Sequence, residues 1–553
     1  MPHYERLKRY KFSLLTDALE YASETPKEWI FYDNLGDPVS CHPYSQIRQD
    51  AVSTAEKLKS LKLKRYSVIG LVAQVGYDFP LYFYACQYAG YIPCALPSDY
   101  LPGGEEGYIA KLAAIIRKTG LKTLIGSEKN RLFLQTAAEL VDQEKRCVLS
   151  FEEIQSFTAK QNIDPLRTDD PAYISFSSGS TAEPKGILLS QQAISTSVEL
   201  TLKYGVEAIS ANRTVSWLPF YHTMGFTAQL LTSVAGISTC DFISPLSFIK
   251  NPAIWLKLLS QNDDPKTTFA PSFAWKLASE IPNPEHYNLS SLRVAGIGGD
   301  KIQLQDLEDF ASTFKSSGFK KDSFFPCYGL SETIGGITFS KVGRGLSVRH
   351  DAREKKDIVS VGSPLPGVEL IITDEQGKRL PDEEKGHIWI KSRELVANYY
   401  NSDVIDSKDH SANGFLETGD IGFLSGEQLF ICGRSKDLII VNGKNIWLQD
   451  IEQIAEKQTG KKKSTIAFIV EINCKEEVIL FIADTICSDV EQEKYRKSIM
   501  KNILLHIGIS VEIIFVPAKK LPFTESGKPA RSKARDLYTK MFSMNMESSH
   551  NEQ

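Results

Sequence analysis

The feature that most constrains the fold is an alternation of strand-like and helix-like segments up to about residue 340 of this 553-residue chain. The apolar run YSVIGLVAQV (Tyr66 to Val75) is followed by an amphipathic stretch around Leu81 to Ala89. YIAKLAAIIRKTG (Tyr108 to Gly120) reads as a helix that ends at a glycine, and LKTLIGS as the next strand. This alternation favours α/β layers with parallel sheets. The length favours two or more domains.

The pattern changes twice further along the chain. After about residue 360, VELIITDEQGKRLPDEEKGHIWIKS alternates apolar and polar residues around turn signals, which predicts an antiparallel β subdomain. From about Lys436, three strand-like runs and a basic helix from Arg531 predict a small α+β domain. We therefore predict an N-terminal domain over 1–433, a hinge over 434–437, a mobile C-terminal domain over 438–542 and a disordered tail over 543–553.

Composition argues against several classes of protein. The 64 basic and 68 acidic residues give a net charge of -4 without a long basic block, which argues against a nucleic-acid partner. The nine cysteines lack CxxC spacing and fit free thiols in a reducing compartment, and dispersed histidines argue against zinc. No signal peptide or transmembrane segment is recognisable, so the sequence predicts a cytoplasmic protein.

A stretch rich in serine, threonine and glycine, SFSSGSTAEPKGILLS (Ser175 to Ser190), lies between two strand-like runs. These flanks argue against a flexible linker. Its backbone N–H groups, its hydroxyls and Lys185 could surround an anion. The spacing is not that of a Walker A loop. A Ser/Lys amidase, with serine as nucleophile and lysine as base, is an alternative from another class.

Five further motifs accompany this loop in chain order. They are WLPFYHTMGF (Trp217 to Phe226), FFPCYGLSET (Phe324 to Thr333), ETGDIGFL (Glu417 to Leu424), GRSKDLIIVNGKN (Gly433 to Asn445) and LPFTESGKPARSKAR (Leu521 to Arg535). With SSGSTAEPKG, this set resembles the motifs of the adenylate-forming (AMP-binding) superfamily over nearly the whole chain. The resemblance implies the acyl-CoA synthetase/luciferase-like fold and activation of a carboxylate by ATP and Mg²⁺, with release of pyrophosphate.

The resemblance also implies roles for individual residues. The β- and γ-phosphates would be held by Ser177, Ser178, Gly179, Ser180, Thr181 and Lys185. Adenosine would be bound by Gly298, Gly299 and Asp300 at a strand end, by Tyr328 and Gly329 at the adenine, and by Asp420 and Arg434 at the ribose. Catalysis would involve Glu332 as the Mg²⁺ ligand, Thr333 at the α-phosphate, His222 in the acyl-pocket segment and Lys528 between carboxylate and α-phosphate. The acyl pocket would include Met224, Phe226 and Phe273, and Lys436 would be the pivot of the hinge.

Within the superfamily the chain is most similar to fatty acyl-AMP ligases. SPLSFIKNPAIWLKLLS (Ser244 to Ser260) resembles a signature of that group. This resemblance implies a fatty acid substrate and transfer of the acyl group to an acyl carrier protein acting in trans. Residues 340–360 could be a shortened form of the family's insertion or a surface loop. A fatty acyl-CoA ligase of the same fold and a nucleotide-binding pseudoenzyme remain alternatives.

Overall fold

The structure is a computed structural model that describes residues 11–98, 104–142, 145–158, 162–176, 185–351, 356–392, 400, 414–441, 444–461, 464–472, 475–484, 488–507, 509–523 and 529–550. Its internal contacts divide the chain into two compact units. The N-terminal unit consists of Met1–Asp99, Ile109–Ser177 and Lys185–Cys432, and the main segment of the C-terminal unit is Gly433–Gln553. No helix in the described ranges has the length and apolar character needed to cross a membrane.

Strands and helices alternate along most of the chain. The strands are β1 (Glu28–Tyr32), β2 (Pro38–Pro43), β3 (Val68–Val72), β4 (Ile92–Leu96), β5 (Thr123–Gly126), β6 (Cys147–Ser150), β7 (Pro171–Phe176), β8 (Gly186–Ser190), β9 (Arg213–Ser216), β10 (Thr239–Phe242), β11 (Lys266–Ala270), β12 (Leu292–Ile297), β13 (Phe324–Leu330), β14 (Gly335–Phe339), β15 (Val348–Asp351), β16 (Lys356–Val359), β17 (Ser363–Pro364), β18 (Glu369–Thr373), β19 (Gly386–Lys391), β20 (Leu416–Ser425), β21 (Gln428–Arg434), β22 (Leu438–Val441), β23 (Lys444–Trp447), β24 (Thr465–Ile472), β25 (Lys475–Asp484) and β26 (Glu512–Pro517). The α-helices are α1 (Leu15–Ser23), α2 (Tyr44–Lys59), α3 (Asp78–Ala89), α4 (Gly104–Thr119), α5 (Glu128–Glu139), α6 (Phe151–Gln155), α7 (Gln191–Leu200), α8 (Thr223–Gly225), α9 (Thr232–Ala235), α10 (Pro245–Lys250), α11 (Ala253–Ser260), α12 (Ser272–Ser279), α13 (Leu304–Thr313), α14 (Leu448–Thr459), α15 (Asp489–His506) and α16 (Arg531–His550).

Two large sheets form the framework of the N-terminal unit. One has the strand order β17-β14-β13-β12-β11-β9-β10-β1-β2, and the other has the order β6-β5-β3-β4-β7-β8. In the first sheet the strands from β13 through β10 run parallel, so their carboxyl ends meet at one edge. In the second sheet β8 runs antiparallel to β7, and the pairs between β3, β4, β5, β6 and β7 are parallel. The predicted α/β fold class is confirmed.

The helix α3 differs from the prediction. The sequence pattern around Leu81 to Ala89 predicts an amphipathic stretch, whereas every residue from Phe79 to Ala89 is buried. A helix that is apolar on all sides belongs in the interior of a large domain. Its one buried amide, Gln87, donates through Nε2 to the Ala172 carbonyl at 2.9 Å, which satisfies the polar group inside the core.

An antiparallel sheet with the order β18-β19-β20-β21 follows the parallel sheets in sequence, at the place where the β subdomain is predicted. Its buried face includes Ile372, Ile388 and Ile390, and the half-buried ring of Tyr328 packs against the same cluster. Within residues 340–360, β15 and β16 pair as an antiparallel hairpin. Residues 348–351 and 356–359 of that segment are therefore strands, whereas residues 340–347 form a turn and irregular backbone.

The C-terminal unit is built on the sheet β24-β25-β26. Side chains of β25 alternate between two cores, as the period of a strand requires. Leu480 and Ile482 pack with residues of α14 and α15, whereas Ile479 and Phe481 pack with α16. The helix α16 extends to His550, so residues 543–550 are helical where the sequence predicts a disordered tail. Methionine and glutamate in this stretch are good helix formers.

A buried ionic cluster connects three parts of the C-terminal unit. Arg531 donates through Nη2 to both carboxylate oxygens of Glu452, at 2.9 and 3.0 Å, and its Nη1 lies 3.2 Å from Asp437 Oδ2. The Ala467 N–H also donates to Glu452, at 2.9 Å. Burial raises the pKa of Glu452 to about 8, against the lowering effect of Arg531 and of the Ala467 N–H. The start of α16 is thereby tied to α14 and to the predicted hinge.

Glu452→Gln should reduce the pH dependence of stability. The pKa of the Glu452 carboxyl is raised in the folded state to about 8, above its unfolded value of about 4.3. The contribution of Glu452 to the free energy of unfolding is therefore fully present below about pH 4.3 and is lost as pH rises through about 8. Calorimetry of the full chain between about pH 5 and pH 9 should show the variant gaining stability relative to wild type as pH rises. Glu477→Gln, at an exposed position on β25, is the control. A difference in stability between the variant and wild type that stays the same at every pH would contradict the raised pKa of Glu452.

Candidate active site

Most predicted site residues of the N-terminal unit follow the carboxyl ends of parallel strands. Loops after β9, β11 and β12, together with the end of β13, meet at the same edge of the central sheet. The residues at this edge are His222, Met224, Phe273, Gly298, Gly299, Asp300, Tyr328 and Gly329. In open α/β sheets this edge is where ligands bind.

Tyr328 and Asp420 connect this edge to the antiparallel sheet. The Tyr328 hydroxyl on β13 donates to Asp420 Oδ2 on β20 at 2.6 Å. Asp420 is only 5% exposed, and its own N–H donates to Thr418 Oγ1 at 3.1 Å. A hydroxyl bound to a carboxylate forms a short, strong hydrogen bond. The pair therefore holds a buried carboxylate in a fixed orientation beside the strand ends.

The hydroxyl contact of Tyr328 adds to the role that the resemblance implies for this residue, which is to stack on adenine. Thr418, the threonine of the TGD motif, has no role among the sequence-based expectations. Its hydroxyl donates to the Ile388 carbonyl at 2.9 Å while it accepts from Asp420. Its position two residues before the predicted ribose-binding aspartate is the available signal, because Ser and Thr hydroxyls commonly bond backbone N–H groups two residues on.

The chain passes very close to itself between β13 and β14. A Cβ atom at Gly329 would lie 1.9 Å from the Gly335 carbonyl oxygen, which is far inside contact distance. Only glycine allows Gly329 and Gly335 to approach in this way. The approach closes the turn that carries Glu332, which is half-buried in the short 3₁₀ segment Ser331–Thr333.

Thr333 and Ile334 hold this turn in an unusual conformation. Thr333 Oγ1 accepts from the Leu330 N–H at 2.9 Å, and the carbonyls of Leu330 and Gly335 lie 3.0 and 2.9 Å away as acceptors for its proton. Ile334 is fully buried at φ +64°, a region that β-branched residues rarely adopt. Backbone strain of this kind persists only where the surroundings enforce it, and it clusters at functional sites.

The glycines after β12 lie against two other predicted segments. A Cβ at Gly298 would lie 2.8 Å from Cys327 Sγ, and a Cβ at Gly299 would lie 3.4 Å from Met224 Cε. Gly299 also has φ +77°, which favours glycine. Burial raises the pKa of the Cys327 thiol to about 12, and the thiol donates to the Ile297 carbonyl at 3.4 Å. Asp300 is exposed, and its Oδ1 accepts from the Lys301 N–H at 2.9 Å.

His222 caps the short helix that carries Met224. Its Nδ1 accepts from the Met224 N–H at 3.2 Å. A neutral imidazole that accepts through Nδ1 carries its proton on Nε2. His222 therefore orients the helix start and presents its second nitrogen as a donor.

The predicted acyl-pocket residues occupy two environments. Met224 and Phe273 are half-buried, and the Phe273 ring lies 6.1 Å from that of Trp217. Phe226 is only 2% exposed, and its ring stacks on Tyr173 at 4.6 Å. Phe226 thus packs in the core, whereas Met224 and Phe273 are partly accessible.

Other predicted residues are not brought to this edge by the described contacts. Ser177, Ser178, Gly179, Ser180, Thr181 and Lys528 lie outside the described residues. Lys185 immediately precedes β8, where the Tyr400 N–H donates to the Gly186 carbonyl at 2.8 Å. Arg434 ends β21 and Lys436 lies in a 3₁₀ turn, and both are exposed residues of the C-terminal unit.

Comparison with known proteins decides the family. The family model described as "AMP-binding enzyme" matches residues 20–400, which is more than half of the chain.

The chain belongs to the AMP-binding enzyme family.

Individual relatives within this family extend the match to both units. The chain is 30% identical over 551 residues to a Caulobacter vibrioides protein provisionally named an acyl-CoA synthetase, with 95% of each chain covered. It is 26% identical over 576 residues to the medium-chain-fatty-acid–[acyl-carrier-protein] ligase JamA of Moorena producens, again with 95% of each covered. A solved chain from a study of fatty acyl-adenylate ligases of E. coli and L. pneumophila superimposes with a TM-score of 0.90 at 30% identity, covering 97% of this chain and 100% of that one. The resemblance to adenylate-forming enzymes is confirmed.

The carboxylate of Glu332, at the edge formed by the strand ends, fits a magnesium ion that arrives bound to a nucleotide. Within the described ranges, no group of three or more His, Cys, Asp or Glu residues could hold a metal ion alone. Mg²⁺ in nucleotide sites commonly takes one or two carboxylates and completes its shell with phosphates and water. Glu332, half-buried on a turn, suits that arrangement. Bound there, the ion would neutralise phosphate charge.

Gly329→Ala should disrupt the turn that carries Glu332 and Thr333. The new methyl group would collide with backbone, which cannot move aside as a flexible side chain can. We expect the rate of acyl-AMP formation to fall by about a hundredfold or more if the catalytic groups are displaced by about 1 Å. Gly76→Ala, where a Cβ meets nothing within 4 Å, is the matched control. Equal rates in both variants would show that the close approach has no catalytic consequence.

Tyr328→Phe should weaken nucleotide binding. The substitution keeps the ring but removes the hydroxyl that donates to Asp420, so the buried carboxylate loses its donor from β13. The free energy of such a hydrogen bond to a charged group is about 1.5–3 kcal/mol, and we expect KM for ATP to rise by about tenfold or more. Tyr204→Phe, at an exposed position, is the control. An unchanged KM for ATP together with a lower melting temperature would make the bond purely structural.

Proposed function

We propose that this protein joins a fatty acid to ATP to form an acyl-adenylate and pyrophosphate, and then transfers the acyl group to the phosphopantetheine thiol of an acyl carrier protein. The observation that carries the proposal is the buried Asp420 carboxylate, which the Tyr328 hydroxyl orients. The strand that carries Tyr328 leads directly into the strained turn of Glu332 and Thr333. A fixed buried carboxylate suits the two hydroxyls of a ribose, and a glutamate on a rigid turn suits Mg²⁺.

The chemistry of adenylation explains why cations must converge on this site. A carboxylate oxygen attacks the α-phosphorus of ATP, the bond between the α-phosphorus and the bridging oxygen breaks, and pyrophosphate leaves with the electron pair. Both reactants are anionic, so positioned positive charge lowers the barrier. Lys185, directly before β8, and Lys528, in the C-terminal motif, are the proposed sources. His222 would orient the acyl-pocket helix through its bond to the Met224 N–H.

The fatty acid assignment is supported by the apolar side chains at the edge. Met224 lies against the position of Gly299, and Trp217 and Phe273, which follow β9 and β11, form an aromatic pair with ring centroids 6.1 Å apart. Apolar walls with few polar groups recognise an alkyl chain by burial rather than by hydrogen bonds. The named activities of the similar Caulobacter and Moorena proteins also concern acyl substrates.

The two reaction steps, adenylation and acyl transfer, differ in chemistry, and this difference explains why the chain has an N-terminal and a C-terminal unit. We propose that the C-terminal unit turns at Lys436 between adenylation, when Lys528 acts, and transfer, when a different face serves the thiol. Lys436 is exposed at the centre of the 3₁₀ turn Ser435–Asp437, whereas Asp437 is held by Arg531 and Gln449. A change of backbone angles at Lys436 would therefore leave the contacts of Asp437 within the C-terminal unit in place.

A second candidate acceptor is free CoA. The Caulobacter relative carries the name of an acyl-CoA synthetase, whereas the Moorena relative is named as an acyl-carrier-protein ligase. Both reactions use the same first step, so only the thiol distinguishes them.

The test uses purified protein, Mg²⁺-ATP and a panel of labelled fatty acids in three parallel reactions: without thiol, with CoA and with a holo acyl carrier protein. Acyl-AMP that persists with CoA and moves to the carrier supports the proposal. Efficient acyl-CoA formation selects the second candidate. Absence of any ATP-dependent product from any fatty acid contradicts adenylation and favours the pseudoenzyme, and ATP-independent hydrolysis of an amide favours the amidase.

A further inference from the structure

The helix α15 of the C-terminal unit exposes an unusual number of large apolar side chains. Val490, Met500, Leu504 and Leu505 are 79, 41, 61 and 69% exposed. Met500, Leu504 and Leu505 lie together on the last two turns, at spacings that share one side of a helix. Single exposed apolar residues are normal, but a group on one helix marks an interaction surface.

Lysines continue the same side of the helix. Lys494, Lys497 and Lys501 recur at spacings of three and four residues, between Val490 and Leu504. All three are exposed, and the side chain of Lys497 is 77% exposed although it pairs with Glu493 at 3.5 Å. An exposed pair of this kind is weak, so Lys497 keeps its charge available to another partner. We call these three lysines with Val490, Met500, Leu504 and Leu505 the α15 face.

The opposite side of the helix is fixed in the protein core. Ile499 and Ile503 are fully buried and pack with β25 and α14. At the start of the helix, Ser488 and Glu491 form a reciprocal capping box. The α15 face is therefore the outer side of a helix whose inner side already has its partners, and its orientation is rigid.

We propose that the α15 face docks the acyl carrier protein, through an acidic surface of the carrier that surrounds a small apolar contact. This inference rests on the proposed transfer reaction and names the surface that its partner uses. Three lysines attract and orient carboxylates during the encounter. Met500, Leu504 and Leu505 supply apolar area that becomes buried on contact. A small patch of mixed charge and apolar character fits a partner that must release after each turnover.

The same features favour a protein partner over a lipid surface. A helix that lies on a membrane inserts its main apolar face between the lipids. In α15 that main face, with Ile499 and Ile503, is buried within the protein.

Two variants test the face. Lys494→Glu/Lys497→Glu/Lys501→Glu reverses its charge, and Leu504→Ser/Leu505→Ser removes much of its apolar area. The control, Lys315→Glu/Lys320→Glu/Lys321→Glu, makes the same change in charge at exposed positions of the N-terminal unit. Each protein is assayed for acyl-AMP formation without thiol, for transfer to pantetheine, and for binding and transfer to a holo acyl carrier protein of the fatty-acid synthase type.

We expect both face variants to raise KM and Kd for the carrier by about tenfold or more, with the control unchanged. Acyl-AMP formation and transfer to pantetheine should stay at wild-type rates, which also shows that the C-terminal unit is folded. In wild type, added salt should raise KM for the carrier, and charge reversal should remove most of that dependence.

Several results would overturn the inference. The inference fails if both face variants bind the carrier as tightly as wild type does. It also fails if the control variant loses as much carrier binding as the face variants do. Loss of binding to phosphatidylserine vesicles with unchanged carrier binding would assign the face to lipid instead. If wild type binds the carrier through this face but forms no acyl-AMP, the adenylation proposal fails while the docking surface stands.

Discussion

The site depends on one hydrogen bond between two sheets. Asp420 is a carboxylate at 5% exposure, and a charge in that position is costly unless it is hydrogen-bonded. The Tyr328 hydroxyl supplies the donor at 2.6 Å, and the Asp420 N–H is held by Thr418. Because Tyr328 lies on the parallel sheet and Asp420 on the antiparallel one, the same bond that satisfies the carboxylate also fixes the two sheets relative to each other. The carboxylate is oriented before any ligand arrives, which reduces the cost of ordering it on binding.

Backbone geometry brings the remaining groups to this pair. The contact of Gly329 with Gly335 closes the hairpin of β13 and β14, and the buried Ile334 with positive φ keeps the turn in one conformation. The glycines after β12 allow close approach to Cys327 of β13 and to Met224 of the segment after β9. Rigid turns of this kind place a glutamate within a narrow range of positions, which electrostatic catalysis requires.

Sequence patterns predict the framework of this protein better than its details. Alternating strands and helices give the α/β class because local periodicity follows from burial on one side of each element. The order of the motifs gives the family and names Tyr328, Glu332 and Asp420. The sequence pattern does not reveal the hydrogen bond between Tyr328 and Asp420, because these two residues are far apart in the chain. It also misses the complete burial of α3 and the stacking of Phe226 on Tyr173, because apolar residues look alike in sequence whatever their packing partners. The charge and apolar residues of α15 are visible in the sequence, but their shared exposure becomes clear only when the other side of the helix is seen in the core.

The most direct test of the central claim is the exchange of labelled pyrophosphate into ATP driven by a carboxylic acid. The exchange reports reversible formation of an acyl-adenylate and needs no thiol, so it is independent of the acceptor. Exchange should require Mg²⁺ and a fatty acid, should not be supported by amino acids, and should be strongly reduced in Asp420→Ala. Exchange supported by amino acids and not by fatty acids would contradict the substrate assignment. Exchange at the wild-type rate in Asp420→Ala would contradict the site.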